Sequence, residues 1–423
     1  MKDNLLDSHF VVLGSCNTYL KAIRSPFLRI PLGVCDWSWK EIKLAFNPFG
    51  VNKKVDDLEG KICDIFGVKY CLTLPSGRVA LKVAIQSLGL KQGDSIILPS
   101  FLCLSVLDAV IQAGCKPRFV DIDENLNIDP DRVLEAIDKD TKAILVPHLF
   151  GKAADILKLV DIAKKNNLYL IDDSAQSLGI KIEEKYLGTF GDVGIFSFGM
   201  FKPLIGIGGG ALLTDDPVVY RRAKLMCNME ESGKGEHIKA LKILIKSKFR
   251  KFSFPLFLLV RYIKNLKSRS GKPDNFHQEG SFTSANMSKL KSLFVLSQLE
   301  NIDRNLEKRV ILGTIMFNEL LKLKFIKPGF SDVKNHGFLK FVIKVESEDF
   351  RVTDKLLYFL LKRGIESEPA YIPLHLRINH HVFLNRTENI YSRLLCLPIN
   401  PSMNEKDVLF IVRALRDFEN RYF

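Results

Sequence analysis

The sequence lacks several features, and each absence narrows the class of protein. Its 423 residues contain no run near the roughly 20 apolar residues that a membrane-spanning helix needs. The eight cysteines include no CxxC pair and no disulfide framework, which favours free thiols in a reducing compartment. The N-terminal stretch MKDNLLDSHFVVLGSC is no clear signal peptide, because its apolar part is short and follows Asp7 and His9. We therefore expect a cytoplasmic protein.

Acidic residues are absent from one long segment. Between His237 and Pro273 the chain has eleven lysines or arginines and no aspartate or glutamate, so this segment carries most of the net charge of +14. It also contains the apolar stretch FSFPLFLLV, and we interpret 231–282 as a basic and apolar helical insertion. Two interpretations of its surface stay open, an ordinary solvated helical pair and a peripheral contact with a membrane through 237–273. No recognised nucleic-acid module accompanies the charge, so we expect no nucleic-acid partner.

Apolar runs and helical patterns alternate along residues 60–230. CLTLPSGRVALKVAI predicts a strand, a turn at Ser76 and Gly77, and a helix, and NIDPDRVLEAID predicts a helix capped by Asp129 with Pro130 in its first turn. Such alternation predicts an α/β fold with three layers and a mostly parallel sheet. After the insertion, long helical patterns and the strand-like GFLKFVIKV predict a smaller α+β domain. We place the large domain at 1–230 and the small domain at 283–423.

A carboxylate and a lysine carry the clearest chemical signal. Asp173 and Gln176 follow a buried strand in LIDDSAQS, and Lys202 lies in FSFGMFKPLIGIGGGALL, which has almost no other charge. A lysine can hold the aldehyde of pyridoxal phosphate as a Schiff base, while an acid keeps the pyridine nitrogen protonated. Parallel sheets place ligands at the carboxyl ends of their strands, so 73–77, Asp173 and 197–202 are expected to converge.

Two other kinds of site fit the sequence poorly. GIGGGA at 206–211 has the glycines of a dinucleotide fingerprint, but a strand-like segment follows it where a helix is required. His375, His380 and His381 lack a convincing set of partner ligands, so we predict no metal site.

The order and spacing of several stretches resemble the DegT/DnrJ/StrS family of sugar aminotransferases, which have the aspartate-aminotransferase fold (fold type I). The resemblance is strong over 45–230 and looser over 283–423. The matching stretches are PSGRVALKVAI, GDSIILPSF, FVDIDENLNIDPDRVLEAI, TKAILVPHLFG, IDDSAQSLG, GTFGDVGIFSF, YIPLH and LLCLPINP.

The resemblance implies a role for each matching residue. Lys202 is the implied Schiff-base lysine and proton carrier, Asp173 the implied partner of the pyridinium nitrogen, and Gln176 that of the phenolic oxygen. The implied phosphate site consists of Ser76, Gly77, Arg78 and Ser197, with backbone N–H groups at a helix start.

The sequence departs from the family pattern at four places. Arg78 replaces the usual threonine, and Cys103 stands where an aromatic residue commonly stacks on the cofactor ring. Gly208 replaces the glutamate of GEGG. The asparagine that usually reaches the phosphate of the neighbouring subunit corresponds to Ser284, with Asn286 two residues later.

These residues together predict a pyridoxal-phosphate-dependent aminotransferase that acts on a nucleotide-linked keto-sugar, with glutamate as amino donor, and that forms a homodimer. Two alternatives stay open. One is a related sugar dehydratase, although the family's dehydratases have histidine in place of the lysine. The other is a non-catalytic scaffold that kept the fold.

Three further residues are candidates for the substrate cleft. His148 follows a strand end, where a satisfied core histidine is an equal alternative. Tyr371 and His375 lie in YIPLH, in the small domain.

Overall fold

A seven-stranded sheet forms the centre of the computed structural model. The structure describes residues 30–33, 37–46, 58–227, 235–252, 285–349, 351–378 and 380–423. The strands in chain order are β1 (Tyr70–Leu74), β2 (Ser95–Pro99), β3 (Lys116–Val120), β4 (Thr141–Pro147), β5 (Tyr169–Asp173), β6 (Lys181–Ile182), β7 (Lys185–Tyr186), β8 (Val193–Ser197), β9 (Gly210–Thr214), β10 (Ile326–Pro328), β11 (Phe341–Val345), β12 (Glu368–Pro369) and β13 (Leu394–Leu397).

Fourteen α-helices lie within the described residues. They are α1 (Trp39–Phe46), α2 (Leu58–Phe66), α3 (Gly77–Ser87), α4 (Leu104–Gln112), α5 (Pro130–Ala136), α6 (Ile156–Lys165), α7 (Pro217–Leu225), α8 (Glu236–Phe252), α9 (Lys289–Leu299), α10 (Ile302–Leu320), α11 (Arg351–Lys362), α12 (Leu374–Arg377), α13 (Asn385–Ile390) and α14 (Glu405–Tyr422). None of these helices combines the length and apolar character that crossing a membrane requires.

The large sheet has the strand order β1-β9-β8-β5-β4-β2-β3. Strand β9 runs antiparallel to both of its neighbours, and the other pairings are parallel. Because side chains alternate along a strand, Ile96 and Leu98 pack with α3 and α4 on one face, whereas Ile97 packs with α5 and α6 on the other. This arrangement confirms the predicted three-layer α/β domain with a mostly parallel sheet.

Local sequence signals account for where the helices begin. The side chain of Asp129 accepts a hydrogen bond from the N–H of Asp131, and Pro130 occupies the first turn of α5, as predicted. The structure differs from the sequence pattern at the β6–β7 hairpin. Its turn residues Glu183 and Glu184 have φ angles of 47° and 65°. Glutamate seldom adopts this left-handed conformation, so the sequence pattern does not predict the turn.

A second, antiparallel sheet with the order β10-β11-β13-β12 builds the smaller domain. Its core combines apolar side chains of α10, α11 and α14, such as Met316, Leu360 and Leu415. This confirms the predicted α+β domain. Ile30, which forms a β-bridge with Ile365, belongs to the same core. Helix α9 instead packs on the large domain through Val295. The domain limits 1–230, 231–282 and 283–423 stay a prediction.

The described part of the predicted insertion is helix α8. It packs on α1 and α9 through Ala240, which is buried with Trp37 and Phe294. The carboxylate of Glu236, at its first turn, accepts a hydrogen bond from Ser288 and lies 3.5 Å from the Lys291 ammonium. Residues 253–284, which include all of the apolar stretch FSFPLFLLV except its first residue, Phe252, lie outside the described part.

Candidate active site

Strand β5 delivers two aspartates to the carboxyl edge of the sheet. Asp172 and Asp173 are both buried, and their side chains point to opposite faces because side chains alternate along a strand. Asp172 accepts hydrogen bonds from the backbone N–H groups of Gly188 and Phe190, at 2.8 and 3.0 Å. Asp173 accepts one from the N–H of Ala175, at 3.0 Å. Asp173 therefore keeps acceptor capacity on the face that carries Lys202.

Lys202 and Asp173 act on each other electrostatically. Lys202 follows β8 in a turn and is half-buried. Burial lowers the pKa of its amine, and the negative charge of Asp173 opposes that change. Burial likewise raises the pKa of the Asp173 carboxyl, while the Ala175 N–H and the charge of Lys202 oppose the rise. The fold thus brings together the two groups that the sequence singled out.

The start of helix α3 forms a narrow cradle against strand β8. The Ser76 hydroxyl caps the helix by accepting from the Val79 N–H at 3.4 Å. A Cβ atom on Gly77 would lie 2.7 Å from Cβ of Ser197, so only glycine allows this approach. The first N–H groups of a helix have no partner within it and suit an anion such as phosphate. Arg78 is exposed at the same helix start.

Gln176 links the two domains at the site. Its carbonyl oxygen accepts from the Phe150 N–H at 3.0 Å, and its amide donates to the Tyr371 hydroxyl at 3.2 Å. The rings of Phe150 and Tyr371 stack with their centroids 5.3 Å apart. Burial raises the pKa of Tyr371 well above its usual range, so the phenol stays protonated. Tyr371, a predicted cleft residue, therefore joins the site.

The four departures from the family pattern have distinct surroundings. Cys103 is half-buried, with its sulfur 3.1 Å from the Ser105 hydroxyl. The position above Gly208 faces two lysines: a Cβ there would lie 3.3 Å from Nζ of Lys239 and 3.6 Å from Cε of Lys291. Lysine side chains thus approach the place where the family usually has a carboxylate.

Asn286 lies beside strand β1, next to Met287, whose N–H donates to the Thr73 carbonyl at 3.1 Å. The side-chain oxygen of Asn286 is buried and has no hydrogen-bond partner among the described residues. Ser284 lies outside those residues. The predicted phosphate contact of Asn286 stays a prediction.

The two histidine candidates are held by protein groups. Nδ1 of His148 accepts from the Ala154 N–H at 3.0 Å, so its ring proton lies on Nε2, which donates to Asp172 at 2.8 Å. Nδ1 of His375 lies 2.6 Å from the Ser100 hydroxyl and Nε2 lies 3.3 Å from Glu388. Both rings have both nitrogens occupied, an arrangement that favours a structural role over contact with substrate.

The residues present fit pyridoxal phosphate. The buried Asp173 has free acceptor capacity for a protonated ring nitrogen, and the half-buried Lys202 supplies the amine. The cradle at Gly77 leaves room that a side chain would fill. Within the described residues, no cluster of three His, Cys, Asp or Glu side chains is arranged to hold a metal ion.

The fold and the site define a class: an α/β enzyme with a lysine and a carboxylate at the edge of a mostly parallel sheet. The chain belongs to the DegT/DnrJ/EryC1/StrS aminotransferase family, whose model matches residues 47–252 and 258–416. This confirms the resemblance drawn from the sequence motifs, and the protein is an aminotransferase.

Relatives and solved structures match over most of the chain. It is 27% identical to GDP-perosamine synthase of Vibrio cholerae, over 87% of this chain and 91% of that protein. It is 29% identical to dTDP-3-amino-3,6-dideoxy-alpha-D-galactopyranose transaminase of Aneurinibacillus thermoaerophilus, over 90% of this chain and 95% of that protein. Among solved structures, the aminotransferase PseC of Helicobacter pylori superposes with a TM-score of 0.75 at 20% identity, covering 93% of this chain and 100% of that chain. The likeness confirms the predicted fold class.

The sequence did not predict that two residues of the small domain, Lys340 and Glu368, contribute to this region. Lys340 forms an ion pair with Glu368, and the charge of Lys340 acts on Lys202. Their separation from the motifs around Lys202 exceeds a hundred residues, and a lysine before a strand is an ordinary surface pattern. Only the packing of the small domain against the large one reveals their position.

Proposed function

We propose that the chain is a pyridoxal-phosphate-dependent aminotransferase that converts a nucleotide-linked keto-sugar into an amino-sugar, with glutamate as amino donor. The observation that carries the proposal is the half-buried amine of Lys202 opposite the buried carboxylate of Asp173, beside the cradle at Gly77. The names of the two relatives support a nucleotide-linked sugar, one carrying GDP and the other dTDP.

Each residue has a defined task in this reaction. Pyridoxal phosphate, when bound, supplies an electron sink for the negative charge that develops on the donor's α-carbon. The Asp173 carboxylate keeps the ring nitrogen protonated. The Lys202 amine takes the proton from the donor's α-carbon, a role helped by the lowered pKa of the buried amine. Gly77 and Ser197 position the phosphate at the start of α3.

The test is a visible absorbance spectrum of the cofactor-loaded protein before and after glutamate is added. Wild type should be yellow and lose this absorbance with glutamate. Lys202→Ala should lack the yellow form and transfer amino groups at least about 10³-fold more slowly, because a positioned proton carrier contributes about 10²- to 10⁴-fold. Lys164→Ala, on the exposed end of α6, serves as the matched lysine control and should behave as wild type.

Two other functions remain as outcomes of that test. Protein that reacts with glutamate but then yields a deoxy-sugar and ammonia in place of an amino-sugar would indicate the sugar dehydratase. Colourless protein that takes up no added pyridoxal phosphate would indicate the scaffold. Lys202 argues against the dehydratase, since the family's dehydratases have histidine there.

We also propose a homodimer in which each subunit completes the other's site. The support is membership of the family, whose members work as homodimers with both subunits contributing to each site. Light scattering should give twice the chain mass of 48.0 kDa. Active monomer at working concentration would contradict the proposal.

The last part of the proposal concerns location: a cytoplasmic enzyme that touches the inner face of a membrane through 237–273. Helix α8 supports it by exposing two isoleucines, Ile238 and Ile245, on the same helix as the exposed Lys239, Lys242 and Lys246. Each lysine near an anionic surface contributes about 1 kcal/mol. Wild type should float with anionic liposomes, and a variant with these three lysines changed to glutamate should not. Equal flotation of both proteins would contradict the contact.

A further inference from the structure

Lys340 brings a second ammonium group to the site. It directly precedes strand β11, and the N–H of the preceding residue, Leu339, donates to the Phe150 carbonyl at 2.9 Å. Phe150 is the residue whose ring stacks on Tyr371 and whose N–H binds Gln176. Lys340 is therefore anchored to the same wall of the cleft as the two residues that join the domains.

The charge of Lys340 acts on Lys202, the proposed reacting lysine. After burial and Asp173, the charge of Lys340 is among the influences on the pKa of Lys202, which it lowers. Burial by itself lowers the pKa of Lys340, but the charge of the Glu368 carboxylate and its hydrogen bond to the ammonium oppose this, and the pKa is raised. Lys340 thus stays positively charged at neutral pH.

Among the described residues, the Lys340 ammonium donates one side-chain hydrogen bond, to Glu368, so its other N–H donors can meet another anion. The Lys340 side chain is 18% exposed, whereas Glu368, with which it forms an ion pair, is 39% exposed. An ammonium has three N–H donors, and a carboxylate contact with an ammonium is among the stronger hydrogen bonds in proteins. Cys103, a small side chain where the family usually has a bulky ring, is half-buried in the same region.

We propose that Lys340 binds a carboxylate of the substrate next to Lys202. The inference rests on the proposed aminotransferase function, since it assumes that substrate reacts at Lys202. Two sources share this chemistry: the amino donor, which carries carboxylates, and a uronic acid within the nucleotide-linked sugar. In both cases Lys340 selects substrates by charge, and Glu368 holds the ammonium in place until the substrate enters.

The test compares ligand affinities of the cofactor-loaded protein by calorimetry. The probes are glutarate, a dicarboxylate without an amine, and UDP-glucuronate with UDP-glucose as its uncharged match. Lys340→Met should weaken glutarate or UDP-glucuronate binding at least about tenfold, whichever is the source, and leave UDP-glucose unchanged. Lys340→Arg should restore most of the affinity, because it restores the charge.

Glu368→Gln distinguishes the effect of losing the Lys340 charge from the effect of losing the Lys340–Glu368 ion pair. This variant breaks the same ion pair but keeps the Lys340 charge, so carboxylate binding should stay equal or become tighter. Equal weakening by Glu368→Gln and Lys340→Met would overturn the proposal, and so would wild-type protein that binds neither carboxylate. Failure of the aminotransferase function itself has a different signature, because wild-type absorbance would then not respond to glutamate.

Discussion

Asp172 and Asp173 are neighbours on one strand, yet their surroundings are opposite. The carboxylate of Asp172 is fully enclosed and accepts hydrogen bonds from His148, Gly188 and Phe190. Asp173 has one backbone donor and an amine, Lys202, within electrostatic range. The Asp172 carboxylate has its hydrogen-bonding capacity filled by protein donors. The Asp173 carboxylate can still accept a hydrogen bond from a ligand.

The difference shows how this fold combines rigidity with reactivity. A buried carboxylate with several donors stabilises the loops that supply them, here 148–154 and 188–190. A buried carboxylate with few donors is costly to the fold, as the burial-raised pKa of Asp173 indicates. Proteins retain such an unfavourable buried group where its interaction with a ligand offsets the cost. Substitutions on the two sides should therefore affect different properties.

The largest contrast is expected from Asp173→Asn. It removes the charge that keeps the ring nitrogen protonated, so kcat should fall about 10²- to 10³-fold, the range seen when one preorganised electrostatic group is lost. Thermal unfolding of the cofactor-free protein should stay unchanged or shift upward, because a poorly solvated carboxylate is gone. Loss of folded protein in step with activity would contradict this assignment.

Asp172→Ala should give the opposite result. It leaves the Nε2–H of His148 and the N–H groups of Gly188 and Phe190 buried without an acceptor. We expect a loss of about 3 kcal/mol in the free energy of unfolding. Denaturant titration of the cofactor-free protein measures it. A variant as stable as wild type would show that Asp172 has no structural role.

Gly77→Ala tests the phosphate side of the site. Its Cβ would lie 2.7 Å from Ser197, so the helix start or the strand must move. We expect cofactor affinity to fall about tenfold, roughly the effect of one lost hydrogen bond to a charged group. Gly60→Ala is the matched control, since a Cβ there meets nothing within 4 Å and should leave affinity unchanged. Equal affinities for both variants would place the phosphate elsewhere.

The smallest expected effect is a change in how the reactivity of the Lys202 amine depends on pH. The negative charge of Asp173 raises the pKa of this amine against the lowering effect of burial. Removing that charge in Asp173→Asn should therefore lower the pKa, and the cofactor-free amine should react with an acylating reagent at lower pH than in wild type. Peptide mapping of the modified lysine follows the reaction. A shift to higher pH would contradict the electrostatic pairing.

The residues reveal part of this site on their own. The run LIDD predicts a buried strand that ends in a carboxylate, and the lone lysine in FSFGMFKPL stands out because its neighbours are apolar or glycine. Ser76 and Asp129 predict their helix starts, since capping depends on a side chain two or three residues away. The motifs also identify the family. These signals are local, so the sequence determines them by itself.

The tertiary structure decides what depends on distant contacts. The family motif points to Asp173, but local patterning does not separate it from Asp172, because their difference depends on which face of β5 meets His148 and which meets Lys202. The same holds for Lys340, which reaches the site only when the small domain docks on Phe150. The sequence by itself determined the strands, the helix caps and the position of the candidate lysine, Lys202, through short-range patterns. Packing between segments that are not adjacent in the sequence decided which of the polar side chains have a structural role and which stay available for chemistry.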